Sequence, residues 1–97
     1  MYTKANDIAQ IVAKHTEFTY EQLKSANKSA ELVNARILLI HVLKSRGYYV
    51  SQIARVLNRT KSAIQAVIHD TGERIESNKI LSIILQDIER ELSSNRV

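Results

Sequence analysis

The stretch Val50–Asp70, VSQIARVLNRTKSAIQAVIHD, holds two short segments of helical apolar period joined by Asn58 and Arg59. Ile53, Ala54 and Leu57 share one face of the first segment. Ile64, Val67 and Ile68 share one face of the second, and Ile75 continues the same phase further on. Ser51 is positioned to cap the first helix and Thr60 the second. Two helices that cross closely over a short turn need a small residue at the crossing, apolar inner faces, and a turn residue that tolerates positive φ. Ala54, the two inner faces and Asn58 supply these, asparagine being one of the few non-glycine residues that visits the left-handed region. The pattern predicts a helix-turn-helix over about residues 50–69.

The outward residues give that prediction a chemistry. With Ile64 and Val67 inward, Ser62, Gln65 and His69 fall on the opposite face, and Lys61 stands in the first turn. The first turn of a recognition helix is the part that enters the major groove. Glutamine pairs bidentately with adenine, lysine reaches guanine acceptors, and serine or threonine serves base or phosphate. The unpaired N–H groups at the helix start also favour a phosphate. Charge agrees: between Glu31 and Asp70 there is no acid, while Arg36, Lys44, Arg46, Arg55, Arg59 and Lys61 all lie there, in a chain of net charge +4. A basic middle between balanced or acidic flanks is the footprint of a polyanionic partner. A plain solvated polar face is the bland reading of the same residues.

Working outward, the fold class is all-α: one domain over residues 1–97, a compact bundle of about six helices. With no proline and two glycines there is little punctuation for an all-β fold. The first helix is expected over about 6–15 with Ile8, Ile11, Val12 and His15 on one face, capped by Asn6 or Thr3. Thr19 and Gln22 have capping-box spacing and open a short helix over 20–25. Residues 26–30 read as a polar loop. From Ala30 to Arg46 the apolar residues run around most of the circumference, so this helix is buried on several sides. It stops at Gly47, expected in a left-handed cap. The helix begun at Thr60 should continue to about Ser77, and a last helix should run over about 79–92. There Leu81, Leu85, Ile88 and Leu92 make a seam, and Ile80, Ile83 and Ile84 exceed it. Only the tail from Ser93 onward looks loose.

Three stretches in register, DIAQIVAKHTEFTYEQLKS, ELVNARILLIHVLKS and VSQIARVLNRTKSAIQAVIHD, resemble the C-terminal DNA-binding domain of the bacterial chromosomal replication initiator DnaA over about residues 6–92. The second stretch carries that family's alanine–arginine pair as Ala35 and Arg36. The resemblance implies double-stranded DNA binding, with a setting in replication initiation or its regulation. It places Lys28 where the family's basic loop sends an arginine into the minor groove, and Lys44 where a lysine contacts phosphate. At the family's signature stretch this chain reads Arg59, Thr60, Lys61, Ser62, Ala63, Ile64. Thr60 and Lys61 replace an acidic residue and a histidine there, so the target sequence should differ from the initiator's. No phosphate-binding G-x-x-x-x-G-K motif occurs, which suits a free-standing relative of one domain. The expected DNA-binding residues are Lys28, Arg36, Lys44, Ser51, Arg59, Thr60, Lys61, Ser62 and Gln65. Of these, Lys28, Lys44 and Arg59 should mainly supply affinity, and Lys61, Ser62 and Gln65 sequence choice.

No enzyme, metal site or cofactor is expected. His15, His41 and His69 are scattered, with no second ligand at helical spacing, and there is no cysteine. Tyr48 and Tyr49 lie beside bases but without the positioning groups a phosphoryl-transfer site needs. Glu89 and Glu91 cannot face each other on a helix. The apolar runs are too short to span a bilayer, and the start lacks a signal-peptide pattern, so a cytoplasmic protein is expected. Further expected partners are a second copy through the last helix or other replication proteins. The alternative functions are a helical interaction or dimerisation module and a transcriptional regulator.

Overall fold

The structure, a computed structural model, describes residues 4–94. Among the described residues every regular element is a helix: α1 (Ala5–Thr16), α2 (Tyr20–Lys24), α3 (Ala30–Ser45), α4 (Val50–Leu57), α5 (Lys61–Ile68), α6 (Thr71–Glu76) and α7 (Lys79–Ser94). The all-α class holds, with seven helices in place of about six.

α3 is the axis around which the others assemble, and it touches all six. Its apolar residues encircle it, so Leu38, Leu39, Val42 and Leu43 are fully buried, and Ile37 and Ile40 nearly so. Burial on several sides fits a helix whose hydrophobic residues make no single stripe. Ile8 and Val12 of α1, Leu23 of α2, Ile53 and Leu57 of α4, Ile64 of α5, and Ile88 and Leu92 of α7 complete the core. The inner face of α1 includes Ala9 and Ala13, while Ile11 and His15 lie half-buried at its edge. Val67 packs against the core but is only half-buried.

Local chemistry sets most of the helix ends. Thr19 and Gln22 cap α2 reciprocally: the Gln22 N–H donates to Thr19 Oγ1 at 3.1 Å and the Thr19 N–H to Gln22 Oε1 at 2.8 Å. α3 ends as expected, with Gly47 at φ +89° and the Tyr48 N–H donating to the Leu43 carbonyl at 3.1 Å. α4 ends with Asn58 at φ 55° and the Arg59 N–H on the Ala54 carbonyl at 2.9 Å. α1 closes the same way through Glu17 at φ 65°, with the Phe18 N–H on the Ala13 carbonyl at 2.9 Å. α1 starts one residue before Asn6, after Lys4, and that lysine's side chain makes no cap; Thr3 and residues 95–97 lie outside the described segment. Ser51 does not cap α4 either, because the helix starts at Val50 with Tyr49 in the cap position, whose N–H donates to Gln52 Oε1 at 2.8 Å.

The helix expected to run from Thr60 to about Ser77 is two helices. At its break the Asp70 N–H bonds back three residues to the Val67 carbonyl at 2.9 Å. The Ile68 carbonyl is taken by side chains, Lys44 Nζ at 3.2 Å and Thr71 Oγ1 at 3.3 Å. A threonine hydroxyl that competes for a helical carbonyl favours a tightened turn over a continuous helix. Thr71 is fully buried, and its hydroxyl, with its one hydrogen on Ile68, accepts from His41 Nδ1 at 3.1 Å.

α1 and α7 are clasped by charge. Glu91 of α7 accepts from Lys14 Nζ and meets His15 Nε2, both at 2.7 Å. Hydrogen bonds from Lys14 and then His15 hold the Glu91 carboxyl below its ordinary range. A depressed carboxylate contributes stability above its unfolded pKa and loses that contribution as pH falls through its folded one. Glu91→Gln should therefore lower stability by about 0.2–1 kcal/mol at pH 7, as for a partly exposed pair. The difference from wild type should close below about pH 4. Urea denaturation at several pH values checks both.

Candidate nucleic-acid interface

Nine described lysines and arginines have no carboxylate partner within ion-pair distance among the described residues: Lys4, Lys28, Arg36, Lys44, Arg55, Arg59, Lys61, Arg74 and Lys79. The cations that do pair, Lys14, His15, Lys24, Arg46 and Arg90, use Glu91, Glu21, Glu89 and Asp87. The acid-free middle of the sequence thus leaves a set of uncompensated positive charges on α3, α4, α5 and the loop before α3.

The recognition-helix candidate is α5. Thr60 caps it, accepting the Ala63 N–H at 3.1 Å. Ile64 and Ile68 are buried, which turns Lys61, Ser62, Gln65, Ala66 and His69 to solvent. α4 packs on α5 across the three-residue turn 58–60. Its exposed Ser51 and Arg55 are one helical turn apart and share a face. Arg55, Ala66 and His69 were absent from the expected site. Exposure on the same faces as Ser51 and Ser62 brings them into it, and that phase was available from the positions of Ile53 and Ile64.

Two expected contact residues are tied into the framework by backbone carbonyls, Arg36 buried and Arg59 half-buried at the edge of the site. Arg36 is 8% exposed, its Nε donating to the Leu23 carbonyl at 2.8 Å and its Nη2 to the Ser25 carbonyl at 2.9 Å and the Gln22 carbonyl at 3.3 Å. Burial first, and the charge of Arg59 second, press it below the usual arginine range. Helix-end carbonyls, which carry partial negative charge, stand in for the absent carboxylate. Arg59 is half-buried and donates to the Ser25 carbonyl at 2.7 Å, the Leu57 carbonyl at 2.9 Å and the Lys24 carbonyl at 3.2 Å. The two guanidiniums meet on one oxygen and fasten the loop 25–29 to the turn between α4 and α5.

That loop carries Lys28, exposed and with no side-chain partner among the described residues. The loop's own polar groups shape it: the Ser29 N–H donates to Asn27 Oδ1 at 2.9 Å, and Ser29 Oγ accepts the Leu32 N–H at 3.3 Å to cap α3. Lys28 stands across a cleft from Arg59 and Ala63. Lys44 is placed elsewhere. Its ammonium reaches the last carbonyl of α5, roughly 12 Å along an eight-residue helix from the first turn. It shares that end with His41, whose imidazole is held below its ordinary range by burial first and by Lys44 second.

The structure therefore places Thr60, Lys61, Ser62 and Gln65 on the exposed start of α5, with Lys28 and Arg59 on the cleft beside it. It leaves Ser51 and Arg55 exposed on α4, where Arg55 borders a cleft with Tyr20 and Lys24, and sets Lys44 apart. No protein-family model matches the sequence, and no curated protein matches it. Among the described residues, no helix is long and apolar enough to cross a membrane.

Charge-assisted bonds from a buried guanidinium are stronger than neutral ones. Arg36→Ala should lower stability by about 1.5–3 kcal/mol. It should also speed amide exchange in residues 25–29 more than in α7, which hydrogen-exchange measurements on both segments would show.

Proposed function

We propose that this protein binds double-stranded DNA, with α4, the turn and α5 acting as a helix-turn-helix. α5 would enter the major groove, and Lys28 would reach the adjacent backbone or minor groove. The observation that carries the proposal is the exposed first turn of α5 with Lys61, beside a cleft edged by Lys28 and Arg59 and lined by no carboxylate. Lys61, Ser62 and Gln65 would read bases from the first turns of α5, and Ala66 would offer a methyl to thymine. Arg55 and Ser51 would meet phosphates from α4. Arg36 and Arg59 would act by holding the loop in register. Together with the resemblance to the replication initiator's DNA-binding domain, this supports replication initiation or its regulation as the setting, inside the cell.

Phosphate contacts release counterions without reading sequence, so Arg55→Ala should weaken binding to all duplexes alike and reduce the salt slope by roughly one. Gln65→Ala should cost about 1–3 kcal/mol on the preferred site and little on random duplex. Site selection from a random duplex pool, followed by titration at several salt concentrations, measures both. Absence of salt-dependent binding to any duplex would end the proposal.

A second reading, self-association, is favoured by one observation on α7. Ile84 joins the core, but Ile80 and Ile83 remain 69% and 51% exposed. Exposed isoleucines one turn apart suit a symmetric helix–helix contact. Under this reading sedimentation shows a dimer that Ile83→Glu dissociates; a monomer at high concentration removes it.

A further inference from the structure

The cleft beside Lys28 has a floor that DNA phosphates do not explain. Ile37 and Ile40 of α3, with Ile64 and Val67 of α5, line a cavity of ≈ 220 Å³. Its edge carries Lys28, Arg36, Arg59 and Arg74, and no carboxylate lines it. Lys28 and Arg74 are exposed, and neither side chain has a partner among the described residues. The volume falls below the roughly 300–1,000 Å³ of sites that enclose a drug-sized ligand. It suits one large apolar side chain, the anchor around which small interfaces concentrate their affinity.

We propose that this cleft is a docking site for an acidic segment of a partner protein, with one aromatic or large aliphatic side chain on the floor and flanking carboxylates on Lys28 and Arg74. Charge complementarity commits the site to this occupant. An uncharged apolar segment would leave the cation edge unanswered, and a nucleic-acid backbone would leave the apolar floor unanswered. Docking of the segment stands apart from the DNA proposal. One consequence does rest on that proposal: because Lys28 would serve both ligands, the docked segment and duplex DNA would compete.

The probe is an amidated heptapeptide, EEDFDEE, added to the isotope-labelled 97-residue protein, with EEDGDEE as its control. Methyl and amide shifts should move at Ile37, Ile40, Ile64 and Val67, and the glycine control should bind at least about tenfold more weakly. Arg74→Glu should weaken the phenylalanine peptide by about tenfold, and Ala63→Phe, which fills the cleft from an exposed position, should abolish binding. Should Ala63→Phe disturb the fold, Arg74→Glu decides alone, since Arg74 is exposed and takes no part in the core. Equal binding of the two peptides would reduce the effect to diffuse charge attraction and overturn the proposal. So would shifts confined to Ile80 and Ile83, or floor shifts produced by duplex DNA and not by the peptide. Peptide binding without competition from DNA would leave the docking site standing and count against the duplex reading of Lys28.

Discussion

One backbone oxygen, the carbonyl of Ser25, accepts from two guanidiniums, Arg36 at 2.9 Å and Arg59 at 2.7 Å. Two like charges held this close, with no carboxylate beside them, would be costly if left to themselves. They persist because carbonyls at the end of α2 and at the end of α4 point at them from several sides. The arrangement fastens three otherwise separate things: the central helix, the loop that carries Lys28, and the turn from which α5 springs. The placement of Lys28 beside the start of α5 follows from that joint. It also leaves the neighbourhood positive, because the carbonyls orient the charges without neutralising them.

The core and the joint are built on the same helix, α3, from opposite chemistries. Its apolar residues face all the other helices, and its one buried arginine threads between them to the surface of α2. Packing fixes α3 to within the tolerance of a close-packed interior, and a rigid α3 in turn gives Arg36 a fixed origin. The candidate interface thus inherits its geometry from the core, even though its own side chains are mostly solvent-exposed.

Much of the fold was legible in the sequence because its signals are local. The Thr19–Gln22 spacing, Gly47, Asn58 and Thr60 each state a backbone requirement within four residues, and those four helix ends formed as predicted, whereas Ser51 lost the cap of α4 to Tyr49. Glu17 occupies a left-handed position that glutamate seldom takes; its reason is the closure of α1 by Phe18, not its own side chain. The break after Ile68 carries no proline and no glycine at the bend itself, for it depends on Lys44 and Thr71 reaching one carbonyl. Arginines in an acid-free stretch look like contact residues, and nothing near Arg36 or Arg59 in the sequence reveals carbonyls 11 to 35 positions away. The exposed residues of α5 were legible from the phase of Ile64; the cleft beside them was not, since its walls come from distant helices.

The clasp between α1 and α7 has a kinetic side. Lys14 and Glu91 stand 77 positions apart, whereas α4 and α5 meet across three residues. Lengthening a closed loop from ~10 residues to this span raises its entropic penalty by roughly 2 kcal/mol. Contacts with short loops are accordingly the first that a collapsing chain can hold, and the union of the two terminal helices comes late.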